Sequence, residues 1–210
     1  MTGEMVIDGI YYATALGLGG ALVGYLTRPV VGVPLYILAL FCLYFFRDPD
    51  RPIPPGPVAV SPADGKVVSI KQDHPESTRV SIFLNIFDVH VNRSPVAGRI
   101  SQVQYQTGKF LVASKELASS QNEQNTVTIE SDGGRVVFAQ IAGLIARRIV
   151  FSKKPGDIVQ KGERVGLIKF GSRVDVFLGP EWNIIVNTGE HVSAGSSVLA
   201  TRSDRGAPNV

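Results

Sequence analysis

The sequence predicts a mostly β protein, a flattened β-barrel or sandwich preceded by an N-terminal hydrophobic helical hairpin. Two runs without a charged residue, 10–26 and 30–46, are separated by a short stretch that contains Arg28 and Pro29. After Val58 the chain consists mostly of short alternating apolar and polar runs broken by turn residues, a pattern typical of β-strands. A chain of 210 residues accommodates one such domain and an appendage.

The two apolar runs resemble a pair of membrane segments, and residues 1–48 are therefore interpreted as a membrane anchor. Each run lies at the lower edge of the roughly 17–25 residues that cross a bilayer, so spanning and interfacial helices both stay open. Several glycines within 17–24 favour membrane helices over a buried hairpin of a soluble domain. A signal peptide fits poorly, because Glu4 and Asp8 stand where basic residues are expected.

Charge and composition indicate where the remainder of the chain lies and what it binds. Arg47 and Arg51 flank the second run and favour the cytoplasmic side of the cell membrane for the rest of the chain. The Pro-rich stretch 49–57 predicts an extended linker, and 58–210 is the predicted β domain. The net charge of +3 suits an anionic membrane surface, whereas no basic block indicates nucleic acid. The single cysteine, Cys42, excludes an internal disulfide and a cysteine-based zinc site, and no metal is expected.

Turn signals and an internal repeat organise the β domain. A turn at 131–134 predicts a hairpin, and 110–120 has a short helical pattern. The segments 156–165 and 189–198 share the pattern G-[DE]-x-V-x-x-G-x-x-V, which resembles the half-repeats of lipoyl and biotinyl domains, small flattened β-barrels. The predicted strands are 66–70, 79–87, 100–105, 126–130 and 135–141.

The stretch FGSRVD, residues 170–175, lies between the two repeats and suggests self-cleavage. In a Gly-Ser peptide the serine hydroxyl can attack the preceding carbonyl, since glycine has no side chain to block it. The resulting ester can eliminate, which leaves Gly171 as a new C-terminus and dehydroalanine at Ser172, and this hydrolyses to a pyruvoyl group. Such a ketone forms a Schiff base with an amine and withdraws electrons during decarboxylation. A plain turn is the alternative interpretation of Gly-Ser alone.

Four further segments occur in order along the chain: FFRDP (45–49), SPADGKVV (61–68), IFLNIFDVHVNRSP (82–95) and IAGLIARRIV (141–150). Together with the Gly-Ser stretch they resemble the phosphatidylserine decarboxylase family in its short prokaryotic form. The resemblance implies a proenzyme cut between Gly171 and Ser172 into a β chain, 1–171, and an α chain, 172–210, held non-covalently. It also implies a pyruvoyl cofactor derived from Ser172, a membrane phospholipid substrate, and phosphatidylethanolamine and CO₂ as products. A homo-oligomer is a further possibility.

Self-cleavage needs a base for Ser172, and His90 is the candidate. Strand alternation through 88–92 predicts that Asp88, His90 and Asn92 share one face, although a solvent-facing edge strand has the same pattern. The resemblance gives His90 an active-site role, which includes donating a proton after CO₂ is lost. It gives Asp64 the role of orienting the histidine, whereas composition alone indicates a turn former.

One position departs from the family pattern. Longer members carry a second histidine three residues after the first, where this chain has Arg93, which cannot act as an ordinary base. Either His90 covers both proton transfers, or Asp64 and water activate Ser172 directly.

Arginines are the candidates for binding the substrate phosphate or carboxylate. Arg93 is predicted to do so, with Asp88 and Asn92 beside it. Lys66 is a candidate for contact with lipid headgroups, and His74 and His191 are expected outside the site. The rival arginines are Arg147, Arg148 and Arg173.

Two alternatives are compatible with the same features. A lipoyl- or biotinyl-type carrier or membrane-fusion adaptor, which is not an enzyme, would explain the repeats and the anchor. It would need a carrier lysine where Gly171 and Ser172 stand. A decarboxylase of a related serine phospholipid, such as archaetidylserine, would carry the same motifs.

Overall fold

A computed structural model describes residues 3–74, 77–111, 118–143, 148–169 and 171–202, with the side chains of residues 3–6 and His74 outside that description. The chain divides into two compact units, Met1–Asp50 and Arg51–Val210. The predicted fold class is confirmed, since the first unit is a pair of apolar helices and the second is a β domain.

The first unit is a helical hairpin formed by α1 (Gly3–Leu26) and α2 (Pro29–Phe45). Pro29 fits the first turn of α2, where its missing N–H has no helical partner to lose. The two helices approach closely at Gly20 and Gly32, because a Cβ atom on Gly32 would lie 2.3 Å from the Gly20 carbonyl oxygen. By length and composition, Ile7–Leu26 qualifies as a membrane span, whereas α2 is shorter.

The second unit contains three sheets, and the paired strands within them are antiparallel. One sheet has the order β1-β14-β12, a second β4-β10-β8, and an eight-stranded sheet β13-β2-β3-β11-β7-β6-β5-β9. A short helix, α3 (Ala118–Gln121), precedes β6. The strands are β1 (Val58–Val60), β2 (Gly65–His74), β3 (Ser77–Leu84), β4 (Val91–Arg93), β5 (Gly98–Gln106), β6 (Gln124–Ser131), β7 (Gly134–Ala142), β8 (Arg148–Phe151), β9 (Ile158–Val159), β10 (Arg164–Lys169), β11 (Ser172–Leu178), β12 (Trp182–Ile184), β13 (His191–Val192) and β14 (Val198–Arg202).

The hairpin predicted at 131–134 is confirmed, because β6 and β7 pair up to Ser131 and Gly134. Alternate residues of the central strands face one buried core, as the period of two predicts. On β11 these are Val174, Val176 and Leu178, which pack with side chains such as Ile82 and Phe138. The helical pattern at 110–120 ends in α3, and its residues 112–117 lie outside the described part of the chain.

The two half-repeats fold alike. Their glycines, Gly156 and Gly162 in the first and Gly189 and Gly195 in the second, all have φ between 75° and 97°, which favours glycine. In each repeat a two-residue strand precedes a turn and a longer strand. The turns are then fixed by matching hydrogen bonds, in which Gly162 N–H donates to the Ser94 carbonyl and Gly195 N–H donates to the Ser61 carbonyl, both at 2.8 Å.

Candidate active site

Ser172 is the first residue of β11, at one end of the eight-stranded sheet. Its neighbours across the ladder are Leu84, the last residue of β3, and Ala142, the last residue of β7. The side chain is fully buried on the core face, and its hydroxyl has no hydrogen-bond partner among the described residues. A buried hydroxyl without a partner is unusual, and at Ser172 it coincides with the Gly-Ser peptide that the sequence singles out.

Gly171 precedes it in a left-handed conformation, with φ of +58°. This conformation favours glycine, and, apart from its two chain neighbours, no described residue has a heavy atom within 4 Å of the place that a Cβ atom would occupy. The carbonyl between Gly171 and Ser172 is therefore unobstructed on that side. Phe170, the first residue of the FGSRVD stretch, lies outside the described residues.

His90 contacts Gly171, the residue before Ser172, although it is 81 residues away in the sequence. Its Nε2 atom accepts a hydrogen bond from the Gly171 N–H at 3.3 Å, and the side chain is fully buried. The other ring nitrogen, Nδ1, lies 2.9 Å from the Asp88 carbonyl oxygen. Because a carbonyl can only accept, Nδ1 carries the proton and Nε2 presents its lone pair to the cleavage site.

The segment before His90 differs from its prediction. The strand predicted to reach residue 87 ends at Leu84, and 85–88 form a turn. Asn85 Oδ1 accepts the Phe87 N–H, and Asp88 Oδ2 accepts the Asn85 N–H, both at 2.8 Å. These side-chain bonds replace the strand ladder. Asp88 therefore does not share a strand face with His90; it contacts the imidazole through its carbonyl instead.

Asp64 lies at the same end of the sheet as Ser172. Its Oδ2 atom accepts a hydrogen bond from Arg51 Nη2, and its Oδ1 atom accepts one from the Ala194 N–H, both at 2.7 Å. In this uncleaved chain the group that orients His90 is the Asp88 carbonyl. The role of Asp64 in self-cleavage stays a prediction.

Asn92 belongs to a buried chain of amide side chains. Its Oδ1 atom accepts a hydrogen bond from Gln140 Nε2 at 2.9 Å, and Asn125 Nδ2 donates to Gln140 Oε1 at 3.0 Å. Asn92 Nδ2 also donates to the Pro62 carbonyl at 3.4 Å. This chain links β6, β7 and β4, and it fixes the strand that directly follows His90.

The predicted binding arginines have different surroundings. Arg93 is 5% exposed and donates to the Gly162 carbonyl at 3.1 Å, so it joins β4 to the first half-repeat. Arg173 is buried and forms a two-pronged pair with Asp175, with bonds of 2.6 and 2.8 Å. Arg148 is exposed, as are Lys66 and His191, while Arg147 lies outside the described residues. The structure therefore places His90, among the predicted site residues, in contact with Gly171, the residue before Ser172.

Comparisons with known proteins identify the family of this chain. The family model described as phosphatidylserine decarboxylase matches residues 38–200. A phosphatidylserine decarboxylase proenzyme of Solibacter usitatus (strain Ellin6076) is 64% identical over 202 residues, which are 96% of this chain and 98% of that protein. Proteins of the same name from Syntrophus aciditrophicus (strain SB) and Nitratidesulfovibrio vulgaris (strain Hildenborough) are 45% and 46% identical, over 92% and 85% of this chain and 95% and 85% of theirs.

The chain belongs to the phosphatidylserine decarboxylase family. It is accordingly an enzyme, a decarboxylase, and the alternative of a non-enzymatic carrier or adaptor is wrong. The relatives are named as proenzymes.

Three parts of this decarboxylase site were not predicted from the sequence: Arg51, Gln140 and Asn125. The two amides carried a signal, because each is polar at an inward position of a strand that is otherwise apolar there. Gln140 follows Val136 and Phe138 on β7, and Asn125 precedes Val127 on β6. Arg51 carried none, since a linker arginine near two prolines has no distinguishing pattern.

A cavity of about 680 Å³ lies on the opposite face of the decarboxylase sheet. Asp175 and Phe177 line it, together with Val137 and Ala139. Asp175 and Phe177 alternate with Ser172 along β11. Their side chains therefore point away from the core face that holds the Ser172 hydroxyl. The cavity is therefore separate from the candidate site.

Proposed function

We propose that this decarboxylase is a proenzyme that cuts itself between Gly171 and Ser172 and then uses a pyruvoyl group, formed from Ser172, to convert phosphatidylserine into phosphatidylethanolamine and CO₂. One observation carries the proposal. His90 Nε2 accepts a hydrogen bond from the Gly171 N–H, and the next residue, Ser172, has a buried hydroxyl with no partner among the described residues. A nucleophile next to a base that a third group orients is the arrangement of activated serines.

Cleavage begins when Ser172 Oγ adds to the Gly171 carbonyl carbon and its proton passes to His90 Nε2. The peptide C–N bond breaks, the Ser172 nitrogen takes the proton, and an ester joins the two residues. The ester then loses the Ser172 Cα proton, and the Gly171 carboxylate leaves with the bonding electrons. One water replaces the nitrogen of the resulting dehydroalanine, ammonia departs, and the ketone remains.

Three features of the site favour this sequence of steps. The Asp88 carbonyl holds the His90 proton on Nδ1, so that Nε2 is available as the base. Gly171 leaves its carbonyl carbon accessible, because no side chain stands beside it. Ser172 is held from both sides by β3 and β7, so the residue that becomes the new N-terminus starts a strand with two neighbours.

The pyruvoyl group supplies the electron-withdrawing ketone for decarboxylation. His90 is the candidate to hold and donate the proton that replaces CO₂, since its imidazole is buried and contacts the residue before Ser172. The substrate's phosphate and carboxylate need cations, and Lys66 is an exposed candidate at the start of β2, near this end of the sheet.

The substrate is a membrane lipid, and the first unit suits a protein that works at a bilayer. The apolar helix Ile7–Leu26 has the length of a span, and Arg47 and Arg51 favour a cytoplasmic position for the β domain. We further propose that the two products of cleavage stay together as a heterodimer, because β11 pairs along its length with β3 and β7. Association of several such heterodimers is compatible with this arrangement.

The first test is the mass of the purified protein. We expect two chains, 1–171 and 172–210, the smaller one blocked at its N-terminus by a pyruvoyl group. Intact-mass spectrometry reads both cleavage and the conversion of Ser172 in one spectrum. A single full-length chain in a preparation that decarboxylates phosphatidylserine would contradict the proposal. A parallel assay with vesicles that contain archaetidylserine compares the decarboxylation rate of this ether lipid with that of phosphatidylserine.

Removal of residues 1–46 tests the membrane anchor. We expect the truncated protein to leave the membrane fraction and to lose more activity on phosphatidylserine in bilayers than on a short-chain soluble form. The reason is that the anchor raises the local concentration of enzyme at the surface and takes no part in the chemistry. Sedimentation with vesicles and paired assays measure both effects. Equal membrane partition of the truncated and full-length proteins would argue against the anchor.

A further inference from the structure

Arg51 connects the linker after the apolar helices to the candidate site. Its guanidinium Nη2 donates to Asp64 Oδ2 at 2.7 Å, and the two side chains are only 19% and 13% exposed. The other carboxylate oxygen accepts the Ala194 N–H at 2.7 Å. The Asp64 carboxylate is thus held from two directions, by a side chain upstream and by the second half-repeat downstream.

The strand register places this ion pair beside the cleavage site. Lys66 pairs with Phe83 on β3, and the next residue of β3, Leu84, pairs with Ser172 on β11. Asp64 stands just before β2 and so lies at the sheet end where Ser172 begins its strand. Neighbouring strands are about 4.8 Å apart, so two strands put the Asp64 and Ser172 backbones roughly 10 Å apart. The Arg51–Asp64 pair therefore lies at the sheet end that carries Ser172.

The rest of the linker also lies on the β domain. Ile53 covers two turn glycines, and a Cβ atom on Gly162 would approach Ile53 Cδ1 to 2.3 Å. The Gly56 carbonyl accepts a hydrogen bond from Lys161 Nζ at 2.7 Å. Burial lowers the pKa of this lysine. The Pro57 carbonyl accepts the Arg202 N–H at 3.0 Å. Residues 51–57, here called the strap, are therefore bound along the domain and do not form a free spacer.

We propose that Arg51 is a positioning residue for self-cleavage, and that it acts through the carboxylate of Asp64. This inference rests on the proposed function and on the role that the family resemblance gives Asp64. A mostly buried carboxylate that loses its cationic partner keeps the desolvation penalty without the compensating charge. Without Arg51, the carboxylate and the loop 61–64 would turn toward water and away from the sheet end that carries Ser172.

The test uses the full-length protein and follows the rate at which the single chain becomes two. Arg51→Gln removes the charge, and Arg51→Lys keeps it. We expect Arg51→Gln to mature at least about tenfold more slowly than wild type, and Arg51→Lys to recover most of that rate. Arg135→Gln is the matched control, because Arg135 also pairs with a carboxylate, that of Glu130, but on an exposed hairpin. The two side chains are 69% and 45% exposed. We expect this variant to mature at the wild-type rate.

Ile53→Ala separates positioning from general stability. The smaller side chain removes packing between the strap and the two turn glycines but leaves the Arg51–Asp64 pair in place. We therefore expect a lower thermal midpoint of unfolding with a normal maturation rate. If Ile53→Ala slows cleavage as much as Arg51→Gln does, Arg51 is merely structural and the inference fails. It also fails if Arg51→Gln matures like wild type. An uncleaved wild-type chain in the same experiment would instead overturn the proposed function.

Discussion

Replacing Ser172 by alanine is expected to leave one folded, uncleaved chain without decarboxylase activity. The hydroxyl is both the nucleophile of cleavage and the source of the pyruvoyl ketone, so no other group supplies either. Stability should change little, because the hydroxyl is buried without a hydrogen-bond partner in the described part of the chain. Removing such a group is neutral or stabilising, within about 1 kcal/mol. Denaturing electrophoresis, a lipid assay and thermal unfolding measure the three effects.

Ser81→Ala is the matched control. Ser81 lies on β3 in the same sheet, is fully buried, and its hydroxyl also lacks a hydrogen-bond partner among the described residues. If burial of an unpaired hydroxyl were enough to explain the effect, both variants would behave alike. We expect Ser81→Ala to be cleaved and active. Cleavage of the Ser172→Ala chain between the same residues would overturn the assignment of the nucleophile.

Replacing His90 by alanine is expected to lower turnover by about 10²–10⁴-fold, the usual effect of losing a general acid–base group. His90 Nε2 accepts a hydrogen bond from the N–H of Gly171, the residue before Ser172. His191 is exposed on β13, so His191→Ala is the control and should stay near wild type. Cleavage and turnover are scored separately. A cleaved but inactive variant assigns His90 to substrate protonation, and an uncleaved one assigns it to maturation.

His90→Gln distinguishes loss of the imidazole from misfolding. His90 is fully buried, so alanine leaves a cavity that could itself destabilise the fold. The glutamine amide preserves much of the volume and can donate to the Asp88 carbonyl, yet it accepts no proton at neutral pH. We expect it to fold like wild type and to remain defective. Normal cleavage together with normal turnover in His90→Gln would show that the base lies elsewhere, with Asp64 and water as the remaining candidates.

The turn at 85–88 shows why the arrangement around His90 differed from its prediction. An alternating sequence such as DVHVN fits a strand, and the apolar positions Val89 and Val91 are indeed buried. Asn85 and Asp88, however, hydrogen-bond to nearby backbone N–H groups and end β3 at Leu84. Local side-chain bonds of this kind compete with a strand ladder, and periodicity does not register them. Asp88 was predicted to share a strand face with His90, but it contacts the imidazole through its backbone carbonyl instead.

The sequence by itself determined the features that depend on local chemistry. The apolar runs predict the helical hairpin, and the period of two with its turn residues predicts the β6–β7 hairpin. The repeated glycines predict two turns of one conformation, since positive φ favours glycine wherever it occurs in the chain. The Gly-Ser peptide likewise carries its reactivity in its own atoms, and the co-linear motifs around it indicate the family.

Only the tertiary structure decided which groups meet. His90 reaches Gly171 across 81 residues, and Asp64 meets Ala194 across 130. Such contacts depend on the strand order of the sheet and on its register, and one chain's local pattern specifies neither. The partner of Asp64 is the clearest case. Its carboxylate is mostly buried and needs a cation, but only the docking of the strap makes that cation Arg51.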